Sequence, residues 1–348
     1  MLHSPNDLTS KKAPQERVNQ IIGLYQKGEI QDTLSQAQKL VQEYPDTPTI
    51  HNVLGACFSA AGNADQSSYH FRQALKLEPS NPAAYNNLGT ILIDLSQYEE
   101  AQKLLEQAIQ IKSDFAEAYN NLGNLMKEQK AYEEAIPHYE KAININPDYY
   151  EAYNNLGVVL NELKKYAEAE INFHTAIKLY PNSTEAYSNL GTALSYQVKY
   201  PEAIQHLKRA LRINPDPDRY CHLGNILKAT GDLREALHHY SKALEIKPNY
   251  ADALNNIGSI FLEFREPKKA IKNFGKALQI DPDNVKFINN LGVTLAYTGN
   301  YRDAIKIYKR ALKLNPNCEK TQKNIGSGDL NIQLNSPNCI VYNVRILY

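Results

Sequence analysis

A regular spacing of Leu-Gly or Ile-Gly dipeptides constrains this chain more than any other feature. The glycines of these dipeptides are Gly55, Gly89, Gly123, Gly157, Gly191, Gly224, Gly258, Gly292 and Gly326. Every step is 34 residues except the 33-residue step that ends at Gly224. A fixed period is typical of repeat proteins, in which each unit buries its apolar surface only against its neighbours. The spacing therefore predicts a stack of similar units.

Other small, aromatic and proline residues keep fixed distances from the glycine. When the glycine is position 8 of a unit, alanine recurs at positions 20 and 27, and proline recurs at position 32. Position 4 is a tyrosine in five units, namely Tyr85, Tyr119, Tyr153, Tyr187 and Tyr220. This order resembles the tetratricopeptide repeat (TPR), a helix–turn–helix motif of about 34 residues. The resemblance covers about residues 48–318. It implies an all-α fold, a right-handed α-solenoid (superhelix) of stacked TPR helix–turn–helix units.

Departures from the pattern predict where the stack ends. We expect a disordered N-terminus over residues 1–13 and a divergent N-terminal capping repeat over residues 14–47. Eight TPR units should follow over residues 48–318, and then a partial repeat and irregular C-terminal tail over residues 319–348. The tail lacks the expected alanines. An irregular cap, a strand awaiting a partner and the start of a truncated region all fit it.

Asparagines recur at positions 5 and 6, in the middle of the first predicted helix of each unit. Asparagine costs about 0.6 kcal/mol relative to alanine in a helix interior, so local stability does not explain it. At 100° per residue, these positions lie opposite the apolar stripe, on the face that would line a concave groove. We predict that this groove binds peptide, because an amide can pair with any peptide backbone. The predicted groove residues are Asn87, Asn121, Asn155, Asn189, Asn256, Asn290 and Asn324 at position 6, and Asn86, Asn120, Asn154, Asn255 and Asn289 at position 5.

The position-6 column resembles the asparagine ladder of protein O-GlcNAc transferases, which in that family holds extended segments of substrate proteins. The resemblance implies peptide binding by the seven position-6 asparagines. Val53 in the first unit and His222 in the sixth interrupt the column. The alternative is that asparagine is a common choice for this face in such repeats, solvated and without a ligand. The sequence leaves both interpretations open.

Acidic residues border the predicted groove at position 2. They are Glu117, Glu151, Glu185, Asp218 and Asp252. An acidic groove would favour ligand segments that contain lysine or arginine. Acids in the first turn of a helix also suit its dipole, so the pattern has a purely structural explanation as well.

The composition limits the other classes of partner. The chain has 38 Lys plus Arg and 38 Asp plus Glu side chains, so we expect neither nucleic acid nor a membrane as a partner. Its four cysteines form no CxxC pair, which favours free thiols, and we expect no metal and no cofactor. Since no secretory leader or membrane span is apparent, we expect a cytoplasmic protein, with a nuclear location and homo-oligomer formation left open.

No catalytic motif is apparent, since the chain lacks GxxxxGK[ST], GxGxxG, HExxH and GxSxG. We therefore predict a non-catalytic protein–protein interaction scaffold that binds extended polypeptide segments. The alternative is the substrate-recruiting TPR portion of an O-GlcNAc-transferase-like or TPR-sulfotransferase-like enzyme. In such an enzyme the catalytic domain would follow Gly326. The 22 residues after Gly326 in this sequence are too few to form that domain.

Overall fold

The computed structural model describes residues 13–326, within which the chain forms nineteen α-helices and no β-strand. The helices are α1 (Gln15–Gln26), α2 (Ile30–Glu43), α3 (Pro48–Ala60), α4 (Ala64–Leu77), α5 (Pro82–Asp94), α6 (Tyr98–Ile111), α7 (Ala116–Glu128), α8 (Tyr132–Ile145), α9 (Tyr150–Glu162), α10 (Tyr166–Leu179), α11 (Thr184–Tyr196), α12 (Tyr200–Ile213), α13 (Pro217–Ala229), α14 (Leu233–Ile246), α15 (Ala251–Glu263), α16 (Pro267–Ile280), α17 (Val285–Tyr297), α18 (Tyr301–Leu314) and α19 (Glu319–Gly326). The predicted disordered N-terminus and the irregular tail after Gly326 lie outside the described residues.

The helices form consecutive pairs that match the sequence period. From α3 to α18, the first helix of each pair begins at position 1 and the second at position 17. The helices divide into two compact units, with α1–α10 in the first and α11–α19 in the second. Within each unit, a first helix contacts its own second helix, which in turn contacts the next first helix. The predicted all-α stack of helix pairs is thus confirmed, with one pair, α1 and α2, before the first full repeat.

The turn between the two helices of a pair has a left-handed residue at position 15. Glycine fills it in four turns, at Gly28, Gly62, Gly231 and Gly299, where φ is 72–89°. In five other turns the residue is Ser96, Lys130, Lys164, Val198 or Arg265, with φ of 59–63°. The amide of the following residue then reaches back to the first helix, as Gln97 N donates to Leu92 O at 2.8 Å. This is the geometry of a Schellman C-cap, which satisfies the last carbonyls of the helix.

The glycine at position 8 sets how closely the two helices of a pair approach. A Cβ atom added at Gly123 would lie 2.6 Å from Cε1 of Tyr139, and one at Gly157 would lie 2.6 Å from Cε1 of Phe173. Both rings belong to position 24 of the second helix and are fully buried. The alanines at positions 20 and 27 are also fully buried in the seven repeats that contain both of them. The period in the sequence therefore marks the contact between helices.

Candidate functional site

The two adjacent asparagines of the first helices occupy different environments. In the first unit, Asn86 and Asn120 at position 5 are 7% and 4% exposed, while their neighbours at position 6 are half-buried. In the second unit, Asn255 and Asn289 at position 5 are 1% and 3% exposed. The remaining predicted groove asparagines are half-buried: Asn87, Asn121, Asn154, Asn155, Asn189, Asn256, Asn290 and Asn324. Position 6 is therefore the more accessible column.

Hydrogen bonds between repeats connect the two columns. Asn121 Nδ2 donates to Asn86 Oδ1 at 2.9 Å, and Asn155 Nδ2 donates to Asn120 Oδ1 at 3.1 Å. In the second unit, Asn290 Nδ2 donates to Asn255 Oδ1 at 2.8 Å. A buried amide oxygen requires such a donor, because leaving it unpaired is costly. A position-6 amide thus satisfies the buried position-5 amide of the preceding repeat.

This pairing leaves the carboxamide oxygen available at two position-6 asparagines, whereas Asn87 Oδ1 and Asn256 Oδ1 accept long contacts of 3.3 and 3.5 Å from the adjacent position-5 amides. The oxygens of Asn155 and Asn290 accept no hydrogen bond within the described part of the chain. Asn121 Oδ1 accepts only a long contact, 3.4 Å from Asn124 Nδ2. An amide oxygen can accept two hydrogen bonds. These half-buried oxygens can therefore accept N–H groups from a ligand.

The pattern changes in α13, where Cys221 and His222 occupy positions 5 and 6. Asn256 of the next repeat cannot pair with an amide at position 5, and its Nδ2 instead donates to Asn225 Oδ1 at 2.9 Å. Asn225 Oδ1 also accepts from the hydroxyl of Tyr240 at 2.7 Å. Burial lowers the pKa of His222, so its imidazole is neutral at pH 7. The sequence indicated that His222 interrupts the position-6 column of asparagines. It did not indicate that Asn225, at position 9, accepts the hydrogen bond that a position-5 amide accepts in other repeats.

An open cavity of about 390 Å³ lies beside this interruption. It is lined by Asp218, Cys221, His222, Asn225, Tyr250, Asp252, Asn256 and Lys286. The hydroxyl of Tyr250 donates to Asp218 Oδ1 at 2.6 Å. Burial raises the pKa of the Cys221 thiol to about 11, which keeps it protonated and unreactive at neutral pH. The cavity therefore offers polar recognition groups rather than a nucleophile.

The acidic residues of position 2 lie in the first turns of their helices. Four of the five are exposed, and Glu151 is half-buried. Glu185 lies 3.7 Å from Nη2 of Arg219, and Asp218 is engaged by Tyr250. Asp252 forms no ion pair or hydrogen bond within the described residues. At this position α17 carries Lys286, so the acidic row changes sign there.

Residues 13–326 contain neither a metal-binding cluster nor a membrane-spanning helix. No group of three or more His, Cys, Asp or Glu side chains in this range could hold a metal ion. None of the helices described is long and apolar enough to cross a bilayer.

Comparisons with known proteins give a family and a fold. Models described as tetratricopeptide repeat match residues 81–148, 148–216, 251–284 and 285–318, and a model described as TPR repeat matches residues 224–263. No curated protein matches the chain. Among solved structures, a chain of the APC/C hetero-tetramer Cut9-Hcn1 is similar, with a TM-score of 0.61 and 16% identity over 83% of this chain and 57% of that one. Pseudomonas aeruginosa pilF has a TM-score of 0.53 and 23% identity over 59% of this chain and 94% of its own. At these identities the likeness shows the fold alone.

Proposed function

Because the chain belongs to the tetratricopeptide repeat family, we propose that it is a non-catalytic scaffold that binds extended polypeptide segments along its first helices. The observation that carries this proposal is the column of half-buried position-6 amides, in which the oxygens of Asn155 and Asn290 accept no hydrogen bond within the described residues. A peptide backbone presents an N–H group at every residue except proline, so such a column can bind segments of varied sequence.

The buried amides at position 5 support this proposal indirectly. Asn86, Asn120 and Asn255 accept a hydrogen bond from position 6 of the next repeat, which fixes the orientation of that side chain. A side chain already held in its binding orientation loses less entropy when the ligand arrives. We therefore assign the position-5 asparagines a positioning role, and the position-6 asparagines the contact with peptide.

The spacing of the repeats suits an extended ligand. Packed helices lie about 8–10 Å apart, and an extended chain advances about 3.3 Å per residue. A position-6 amide would therefore meet roughly every third residue of the bound segment. This spacing leaves the intervening side chains to contact the more variable positions of the first helices.

The acidic row supports a preference for segments that contain lysine or arginine. Glu117, Glu185 and Asp252 are exposed at the edge of the proposed groove, where a basic side chain of the ligand could pair with them. Exposed pairs of this kind contribute about 0.2–1 kcal/mol each, so they would bias the choice of ligand more than they would set its affinity.

The alternative is the substrate-recruiting portion of an O-GlcNAc-transferase-like or TPR-sulfotransferase-like enzyme. It rests on the same asparagine column and requires the same peptide-binding step. The experiment below therefore tests the step that both proposals share.

The test is selection of peptides from a displayed library of random 12-residue segments, followed by fluorescence anisotropy with the selected peptides. The variant Asn121→Ala/Asn155→Ala removes two position-6 amides from adjacent repeats of the first unit. The matched control is Asn172→Ala/Asn273→Ala, because these two amides lie on second helices and donate only to backbone carbonyls of their own helices. We expect the first variant to weaken binding about fivefold per lost hydrogen bond and the control to leave it unchanged.

Two results would reject the proposal. One is that the library yields no peptide that binds the wild-type chain. The other is that the position-6 variant binds as tightly as wild type while circular dichroism shows both to be equally helical.

A further inference from the structure

The last three second helices of the second unit carry a regular grid of basic side chains on one face. The grid occupies positions 18, 22 and 26 of α14, α16 and α18. Its members are Arg234, His238 and Lys242, then Lys268, Lys272 and Lys276, then Arg302, Lys306 and Arg310. Eight of the nine side chains are exposed, and Lys242 is half-buried. We call this surface the basic face.

Helix geometry directs the basic face away from the core. Positions 18, 22 and 26 follow one another at intervals of four residues and so share one side of the helix. In α16 the fully buried residues are Ala270, Phe274 and Ala277, which occupy positions 20, 24 and 27. At 100° per residue the basic side chains are centred opposite this buried stripe. The basic face therefore points outward, and it does not include the asparagines of the first helices.

Most of these charges have no ion-pair partner among the residues that the structure describes. Arg234, Lys268, Lys272, Lys276 and Arg302 form no ion pair in the described part of the chain. The other cations of the face have acidic neighbours, namely Glu245 for Lys242, Asp303 for Lys306 and Asp283 for Arg310. Like charges four residues apart destabilise a helix. The spacing of the lysines in α16 thus has no explanation in the stability of that helix.

The excess of basic over acidic side chains is concentrated in the second helices of the second unit, where α12 also carries three Lys and Arg side chains and one carboxylate. Together α14, α16 and α18 contain eleven Lys and Arg side chains and three carboxylates, and α16 has no carboxylate at all. In contrast, the second helices α6, α8 and α10 of the first unit each contain more carboxylates than cations. The zero net charge of the chain is therefore an average over unlike regions. It does not describe the surface that a partner would meet here.

We propose that the basic face binds the surface of an anionic phospholipid bilayer. The cations are spaced about 6 Å apart along each helix, and the three helices are second helices of consecutive repeats, so the charges extend in two dimensions. A bilayer presents its phosphates as a plane, whereas a nucleic acid strand presents a line and is usually held by stacked aromatic side chains. Clusters of four to eight Lys and Arg side chains are sufficient for attraction to an anionic leaflet. Binding of the basic face to a bilayer is independent of the proposed peptide binding.

The test is co-sedimentation of the full chain with vesicles of phosphatidylcholine alone, or with about 30 mol% phosphatidylserine. The variant Lys268→Gln/Lys272→Gln/Lys276→Gln removes the central column of the basic face. The matched control, Lys103→Gln/Lys141→Gln/Lys178→Gln, removes three exposed lysines from α6, α8 and α10 and changes the net charge equally. Lysine-to-glutamine changes keep good helix formers, so both variants should fold.

We expect the wild-type chain to sediment with anionic vesicles and not with neutral ones. The central-column variant should lose roughly a hundredfold in partition coefficient, because each lysine near an anionic leaflet contributes about fivefold. The control should bind as the wild type does.

Absence of binding to anionic vesicles would overturn the proposal. An equal loss in both variants would also overturn it, because net charge alone would then decide binding. Tight binding of a single-stranded oligonucleotide without vesicle binding would assign the face to nucleic acid instead.

Discussion

Single residues in the turns between helices show where the repeat is strained. Val198 has a φ of 63° and is 66% exposed, so a β-branched side chain is held in the left-handed region with no packing to compensate. Left-handed backbone costs an L-residue about 1–2 kcal/mol, and glycine avoids that cost. Glycine already occupies the same position in other turns, for example Gly231 and Gly299.

We predict that Val198→Gly stabilises the chain by about 1 kcal/mol, measured as a rise in the midpoint of urea unfolding. The control is Lys199→Gly at the next residue, where φ is −84° and glycine relieves no strain. That change should lower the midpoint, because glycine adds entropy to the unfolded chain. A lower midpoint for Val198→Gly would contradict the prediction.

A buried pair of histidines makes the first repeat sensitive to acid. Nδ1 of His51 and Nδ1 of His70 lie 3.0 Å apart, and His51 Nε2 lies 2.9 Å from Pro45 O. Burial, followed by the influence of His51, lowers the pKa of His70 to about 4. The rings of Phe58 and Tyr69 also contact His70 and add no charge near neutral pH.

Because the folded pKa lies below the usual value of about 6.5, the unfolded chain binds the proton first. The contribution of His70 to stability is therefore complete above pH 6.5. It should be lost as the pH falls from about 6.5 to 4, by about 2–3 kcal/mol. The measurement is urea unfolding at pH 7 and pH 4.5 for the wild type and for His70→Asn, since asparagine occupies position 23 in α10 and α16. Equal pH dependence in the two proteins would contradict the prediction.

At the scale of helices, position 8 and position 24 form the contact that makes a pair. We predict that Gly157→Ala destabilises the chain by about 1–3 kcal/mol, because the new Cβ would lie 2.6 Å from the Phe173 ring. Gly275 offers a matched comparison, since it is also within a helix but has no atom within 4 Å of an added Cβ. Gly275→Ala should stabilise by about 0.8–1 kcal/mol. Opposite signs in chemical denaturation would verify the packing role, and equal effects would refute it.

The sequence was sufficient to predict the helix pairs, because they follow from the period. It was not sufficient to divide the work between the two asparagines. Positions 5 and 6 are only 100° apart on the helix, and which one is buried depends on the adjacent repeat. The partner of Asn86 is Asn121, 35 residues later, so the distinction arises only in the stack. Likewise, Cys221 at position 5 has no amide oxygen, so Asn225 accepts the hydrogen bond from Asn256 of the next repeat instead. That contact, too, arises only when the repeats stack.

At the scale of the molecule, the balance of charge conceals an uneven distribution. Equal numbers of acids and bases led us to predict no membrane partner, which assumes that the charges are mixed along the chain. The acid-rich helices α6, α8 and α10 of the first unit and the basic face of the second unit do not satisfy that assumption. A total charge can exclude a partner only when every surface resembles the average.

The two proposed surfaces should respond differently to salt. Raising NaCl from about 50 to 300 mM shortens the screening length and should release the chain from anionic vesicles. Binding of an uncharged peptide selected from the library should change little, because amide hydrogen bonds to a backbone involve no net charge. Parallel sedimentation and anisotropy titrations would measure this. An equal salt dependence would mean that both assays report the same electrostatic surface.

The amide pairing between adjacent repeats also bears on how such a chain could lengthen. Each paired repeat carries an acceptor for its successor and a donor for its predecessor, as the pair Asn155 and Asn120 illustrates. Tandem duplication of one whole 34-residue segment would therefore create a new junction with its polar contact already complete. A duplication that does not contain a whole number of repeats would leave a buried amide oxygen without its donor. The hydrogen bonds thus favour growth by entire repeats.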